Sequence, residues 1–137
     1  MKTRALITPV LAVLLLLPGL LHGAGKVRTG LEILEESGFA LLKGKRVGLI
    51  TNPTGIDRAL RSTVDLFHSS TAFNLVALFG PEHGVRGDYG AGDYVENYTD
   101  PPTGLPVYSI YGETRTPTAE MLQGMAGLVY GLKDIGF

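Results

Sequence analysis

Glu82, His83, Arg86 and Asp88 place a carboxylate, an imidazole, a guanidinium and a second carboxylate in one short stretch, punctuated by Gly80, Gly84 and Gly87. The glycines let the backbone turn tightly and approach a ligand closely. A loop that only connects two elements has no use for so many ionisable groups, so this stretch is expected to be the functional loop. Partial burial of Glu82 against Phe79 and Pro81 would raise its pKa and suit it to general-acid work. A neighbouring Arg86 would do the reverse and make the loop an ion-paired structural turn; the residue types leave both open. Glycoside cleavage sets such a group against a second carboxylate across the sugar. Asp88, Asp93 and Glu113 are the available partners.

Other chemistries find less support. His83 lacks the spacing of a zinc motif such as HExxH, and His22 falls in the expected signal peptide, so no metal is expected. Asn52-Pro53-Thr54-Gly55 is neither a GxGxxG nor a Walker sequence, and no GxSxG nucleophile elbow occurs. No cofactor is expected. The net charge of −1 offers no basic stripe for nucleic acid.

The elements that must position the loop follow from pattern. Thr29 to Glu36 reads as a short helix, with Leu31 and Leu34 on one face, acids on another and Gly38 as a stop. Arg46 to Thr51 is an apolar run bounded by turn residues and reads as a buried strand. Asn52-Pro53-Thr54-Gly55 closes it, either as a simple turn or with Thr51 and Asn52 facing a ligand at the strand's carboxyl end. Ser62 to His68 reads as a helix capped by Ser62, with His68 solvated near its end. Phe73 to Phe79 is a second strand and delivers the functional loop.

Tyr89 to Pro102 is rich in acids and poor in aliphatics, and is expected to be a long polar connection outside the core. Pro106 to Tyr111 reads as a third strand. Thr116 to Leu122 reads as a helix, with Thr116 as cap and Pro117 in the first turn. Gly127 to Leu132 reads as a fourth strand. This alternation implies an α/β fold, a parallel sheet with helices on its faces. Asn52, Glu82 with His83, Glu113 and Asp134 then fall at strand carboxyl ends, where ligands bind in such sheets.

At the amino terminus Lys2 and Arg4 precede an apolar run from Ala5 to Leu21, and Gly23 and Gly25 occupy the small-residue positions of a cut before Lys26. Residues 1–25 are therefore expected to be a signal peptide. With no cysteine in the chain, neither a disulfide nor lipid attachment at a cysteine is open to it. Residues 26–137 make one small domain of roughly 110 residues. No helix follows the last strand to cover that side of the sheet, so the chain is expected to be truncated.

Three separated stretches resemble one family. Gly48-Leu49-Ile50-Thr51-Asn52-Pro53-Thr54-Gly55, Leu78-Phe79-Gly80-Pro81-Glu82-His83-Gly84-Val85-Arg86-Gly87-Asp88 and Thr103-Gly104-Leu105-Pro106-Val107-Tyr108-Ser109-Ile110-Tyr111-Gly112 are similar to the bacterial exo-β-N-acetylmuramidase family, long labelled a domain of unknown function. The likeness runs from about Thr29 to the last residue. It implies a Rossmann-like amino-terminal domain, here incomplete, followed by a second domain that this chain lacks. It also implies a periplasmic or secreted bacterial glycoside hydrolase that removes β-linked N-acetylmuramic acid from the non-reducing ends of peptidoglycan fragments. By motif match Glu82 is the catalytic acid/base, and Asn52, His83, Arg86, Asp88, Tyr111 and Asp134 surround the substrate. Where the family reads V-F-D-I-Q-D-V-G, Gly131 replaces an acid and Lys133 a glutamine, while Asp134 is kept.

The expected partners are peptidoglycan-derived MurNAc-GlcNAc saccharides, with no nucleic acid and no membrane after signal cleavage. The alternative is a non-catalytic periplasmic sugar or muropeptide-binding module using the same crevice.

Overall fold

The computed structural model describes residues 27–133. The expected signal peptide and Asp134 lie outside the described residues. Helix α1 spans Gly30–Glu36 and begins in a reciprocal cap. The Thr29 hydroxyl accepts the Glu32 amide at 3.2 Å, and the Glu32 carboxylate accepts the Thr29 amide at 2.6 Å. Gly38 and Phe39 then take left-handed backbone angles and reverse the chain into a short 3-10 turn, Ala40–Leu42. A left-handed non-glycine residue costs about 1–2 kcal/mol. Phe39 offsets this by burying its ring against Phe67 and Phe73, with centroids 5.6 and 5.2 Å away.

Strand β1, Arg46–Thr51, follows, and then helix α2, Thr63–His68. The Ser62 hydroxyl caps α2 by accepting the Val64 amide at 3.2 Å. Val64 and Phe67 turn inward from it. Strand β2, Asn74–Gly80, pairs parallel to β1 and is buried over most of its length. Strand β3 is the two-residue Tyr98–Thr99, β4 is Pro106–Ser109 and β5 is Gly127–Gly131.

The sheet order is β3-β4-β2-β1-β5. Its parallel strands therefore run third, second, first, fourth in chain order, the arrangement of one Rossmann half. The expected α/β fold with a mainly parallel sheet is thus observed. Val47, Leu49, Leu75, Leu78 and Val107 from the sheet pack with Val64 and Phe67 from α2 to form the core.

Three expectations are corrected. The sheet is not wholly parallel, because Tyr98 and Thr99 pair antiparallel with Val107 and Pro106. The connection that carries them is not entirely outside the core, since Val95 and Asp100 are both buried. Thr116 to Leu122 forms turns rather than a helix. Its hydrogen bonds mix Leu122 to Thr118 with Gln123 to Glu120, and Gly124 breaks the run at φ +74°. So short a segment cannot repay helix nucleation without an apolar face to bury, and Met121 and Leu122 are only half-buried.

Candidate active site

Strands β1, β2 and β4 run parallel with β2 in the middle, so their carboxyl ends share one edge. Asn52 follows β1, Glu82 and His83 follow β2, and Tyr111 lies just beyond β4. The strand order therefore seats Glu82 between the other two.

The loop after β2 is tightly wound. The Gly84 amide donates to the Pro81 carbonyl at 3.0 Å, and both His83 and Gly84 sit in the left-handed region, at φ +72° and +71°. A Cβ on Gly84 would lie 3.0 Å from both the Tyr98 hydroxyl and the Tyr89 ring, so only glycine fits there without displacement. A left-handed histidine costs of order 1 kcal/mol or more and persists only where its surroundings hold it. Its ring supplies one such hold. Nδ1 lies 3.0 Å from the Tyr89 carbonyl, which can only accept, so Nδ1 carries the proton and a neutral ring keeps its lone pair on Nε2.

Glu82 fastens the same turn from the other side. Its Oε1 accepts the Gly92 amide at 3.0 Å. Asp93 closes the turn by accepting the Gly90 amide at 2.6 Å. Glu82 and His83 are both half-buried, so each keeps a solvent-facing side.

Arg86 is engaged by protein carboxylates. Its Nε and Nη2 donate to the two oxygens of Asp100 at 2.6 and 3.0 Å, a bidentate pair, and Nη2 also reaches Asp65 on α2 at 2.8 Å. The Thr103 hydroxyl donates to Asp100 at 2.6 Å. Burial pushes the Asp100 carboxyl up, but the Arg86 and Thr103 hydrogen bonds outweigh it and hold the group below the usual carboxylate range. The bonds to Asp100 and Asp65 raise Arg86 above the ordinary arginine value. The ion pair between Glu82 and Arg86 that the sequence left open is thus not the one formed; Arg86 pairs with Asp100 and Asp65.

The remaining candidates differ in their engagement. The Asn52 side-chain oxygen accepts both the amide and the hydroxyl of Thr54, at 2.9 and 2.7 Å, and so closes its own turn. Asn52 and Arg86 nevertheless line one small groove with Val85, of about 190 Å³. Tyr111 carries the Arg115 guanidinium 5.5 Å over its ring. Asp88 is exposed. Glu113 borders a second groove of about 250 Å³ beyond β4, together with Tyr94, Glu96 and Asn97. Among the described residues no three His, Cys, Asp or Glu side chains converge in a way that could hold a metal ion.

The crevice between β1 and β5, where the strand order reverses, is bridged by the chain itself. Thr51 donates to the Gly131 carbonyl at 2.9 Å, and the Lys133 amide donates to the Thr54 hydroxyl at 2.9 Å. Gly55 is wedged so closely that an added Cβ would fall 2.5 Å from the Gly131 carbonyl. These contacts narrow the space a dinucleotide would use in a Rossmann domain, and a groove of about 300 Å³ lined by Gly55, Thr63, Tyr130 and Gly131 remains beside them. The open polar surface lies one strand over, at β2.

Tyr98 and Asp100 were not among the residues the sequence picked out. Both belong to a polar stretch whose only local signal was the Asp100-Pro101-Pro102-Thr103-Gly104 turn, closed by the Gly104 amide on the Asp100 carbonyl at 2.8 Å.

Comparison with known proteins adds to this geometry. The family model described as "Exo-beta-N-acetylmuramidase NamZ, N-terminal" matches residues 47–137. The chain is 51% identical over 111 residues to the peptidoglycan beta-N-acetylmuramidase NamZ of Bacillus subtilis, covering 81% of this chain and 27% of that protein. A crystal structure of a DUF1343 family protein from Bacteroides fragilis superposes with a TM-score of 0.71 at 58% identity, covering 80% of this chain and 27% of that one. The chain thus spans about a quarter of the length of the relatives it matches.

Proposed function

Because this chain belongs to the family of exo-beta-N-acetylmuramidase NamZ amino-terminal domains, we propose that it supplies the acid/base side of an exo-acting glycoside hydrolase. The substrate class is peptidoglycan fragments with β-linked N-acetylmuramic acid at their non-reducing ends, and the place of action is the periplasm or the exterior. The observation that carries the reading is the placement of Glu82. It sits just past the middle strand of the edge, half-buried, in a loop that its own carboxylate helps to hold through Gly92.

In this reading protonated Glu82 gives its proton to the bridging oxygen as the bond from the muramic acid anomeric carbon to that oxygen breaks. Water completes the replacement at the anomeric carbon, and the proton it loses restores Glu82 to its acid form. His83, Asn52, Asp88 and Tyr111 belong to the same strand-end region and bind the sugar, and Asp134 is assigned to the same role.

The test is release of free N-acetylmuramic acid from a MurNAc-GlcNAc disaccharide by the full-length protein and by its Glu82→Gln variant. Release by the first and its loss in the folded second supports the assignment. Release that survives in Glu82→Gln removes Glu82 from the acid/base role. Binding of the disaccharide without any release by the full-length protein leaves a non-catalytic sugar-binding module.

A further inference from the structure

Asp100 is fully buried, carries a charge-paired carboxylate, and has no part in the chemistry just described. It terminates β3, an edge strand only two residues long. Yet that short segment touches the functional loop at three points. The Asp100 carboxylate takes two hydrogen bonds from Arg86. The Tyr98 hydroxyl accepts the Val85 amide at 3.4 Å. The Tyr98 ring packs on Tyr89, with centroids 5.7 Å apart. Arg86 in turn reaches α2 through Asp65, so one guanidinium joins the loop, the helix and the edge strand.

We propose that Asp100 and Arg86 are the positioning pair of this site: they hold the Pro81–Asp93 loop in the conformation that presents Glu82. The proposal rests on the muramidase reading for its catalytic consequence, but not for its structural one. The physical basis is the sequence of links. Glu82 and His83 are held in a strained turn whose far side is the Tyr89–Gly92 segment. That turn has few buried apolar contacts of its own; Val85 is its buried anchor. A bidentate guanidinium–carboxylate pair fixes both distance and plane, which a lysine or a neutral amide cannot reproduce. Thr103 fixes the Asp100 carboxylate in turn, at 2.6 Å.

The experiment compares the full-length protein with its Asp100→Asn, Arg86→Lys and Thr103→Val variants in two ways. The first is amide hydrogen exchange across residues 82–93, read against exchange in β1 and β2. The positioning role requires exchange in the loop to rise by roughly tenfold or more in Asp100→Asn while the two strands keep their protection. The second is MurNAc release, where kcat of Asp100→Asn should fall roughly 10–100-fold with KM changed far less, since the buried Asp100 carboxylate cannot reach a substrate.

Unchanged loop exchange in folded Asp100→Asn overturns the proposal. So does a uniform rise across loop and strands, which marks a purely global loss of stability. If Asp100→Asn does not fold, Thr103→Val removes a single bond to the same carboxylate and decides by the same exchange criterion. Should the full-length protein release no sugar at all, the muramidase reading falls, and the exchange result still decides the positioning role.

Discussion

Glu82 and Gly92 are joined across the mouth of the site, the carboxylate Oε1 accepting the Gly92 amide at 3.0 Å. The bond spans ten residues of chain and ties the proposed acid/base to the turn in front of it. Its geometry depends on Gly92, which sits at φ +78° with open space around the position of a Cβ. Alanine there meets no neighbour, so only the backbone cost, about 1 kcal/mol, should appear in a denaturant melt. Gly44, at φ +71° with equally open surroundings, is a matched control far from the site. Gly92→Ala and Gly44→Ala should lose similar stability, while only Gly92→Ala should slow sugar release by the full-length protein.

Gly55 presents the opposite case. A Cβ there would fall 2.1 Å from the Thr51 hydroxyl and 2.5 Å from the Gly131 carbonyl. The second of these is backbone and cannot swing away. Gly55→Ala should therefore separate β1 from β5 locally and cost about 1–3 kcal/mol or more. Chemical denaturation measures the loss, and hydrogen exchange at β5 locates it.

The Phe39, Phe67 and Phe73 rings form a closed cluster with centroids 5.2 to 5.6 Å apart. Phe67 is the most deeply buried of them, at 1% exposure. Phe67→Ala should cost about 3–5 kcal/mol, a large share of what a domain of this size possesses. It should also release Phe39 from its left-handed turn. A thermal melt of the variant checks the first point, and loss of exchange protection at Ala40–Leu42 checks the second.

Asp100 makes stability depend on acid. Its carboxyl is held below the ordinary value of 3.8, so the folded state prefers the ionised form. The stabilisation is present in full above about pH 4 and is lost as pH falls through the folded-state value. Asp57 shares the direction: burial opposes, but Arg61 holds its carboxylate below the usual range. Denaturant melts between pH 2 and 7, a range chosen to span roughly both protonation states, should show a steep acid limb. Asp100→Asn should start from lower stability at neutral pH and show a shallower limb, with the remaining slope due to Asp57 and Glu32. A limb of unchanged slope would dissociate Asp100 from the acid sensitivity.

Much of the scaffold was legible because the signals are local. Thr29 and Glu32 form their cap within one turn, Ser62 caps α2 as its type suggests, and β1 occupies the span its apolar run marked. Strand β2 begins one residue after Phe73 and ends one after Phe79, while β4 stops at Ser109. The alternation of these elements was sufficient to place Asn52 and Glu82 on one edge. The segment at Thr116 carried a cap and a proline in the right places but no apolar stripe to bury, and local chemistry alone did not make it a helix.

The partners of charged side chains were not legible. Nothing in spacing told Arg86 to choose Asp100, fourteen residues away and in a stretch that reads as polar loop, over Glu82. That choice required β3 to pair antiparallel with β4 and bring Asp100 under the guanidinium. Nor did it tell Thr51 to bond the Gly131 carbonyl, 80 residues distant. Residue type and period therefore determined most of the elements and their α/β alternation. Which carboxylate holds Arg86, and that Thr51 ties β1 to β5 across their crevice, were decided by the tertiary structure. Such pairings depend on strand order and burial, which sum over contacts too distant in the chain for any local pattern to carry.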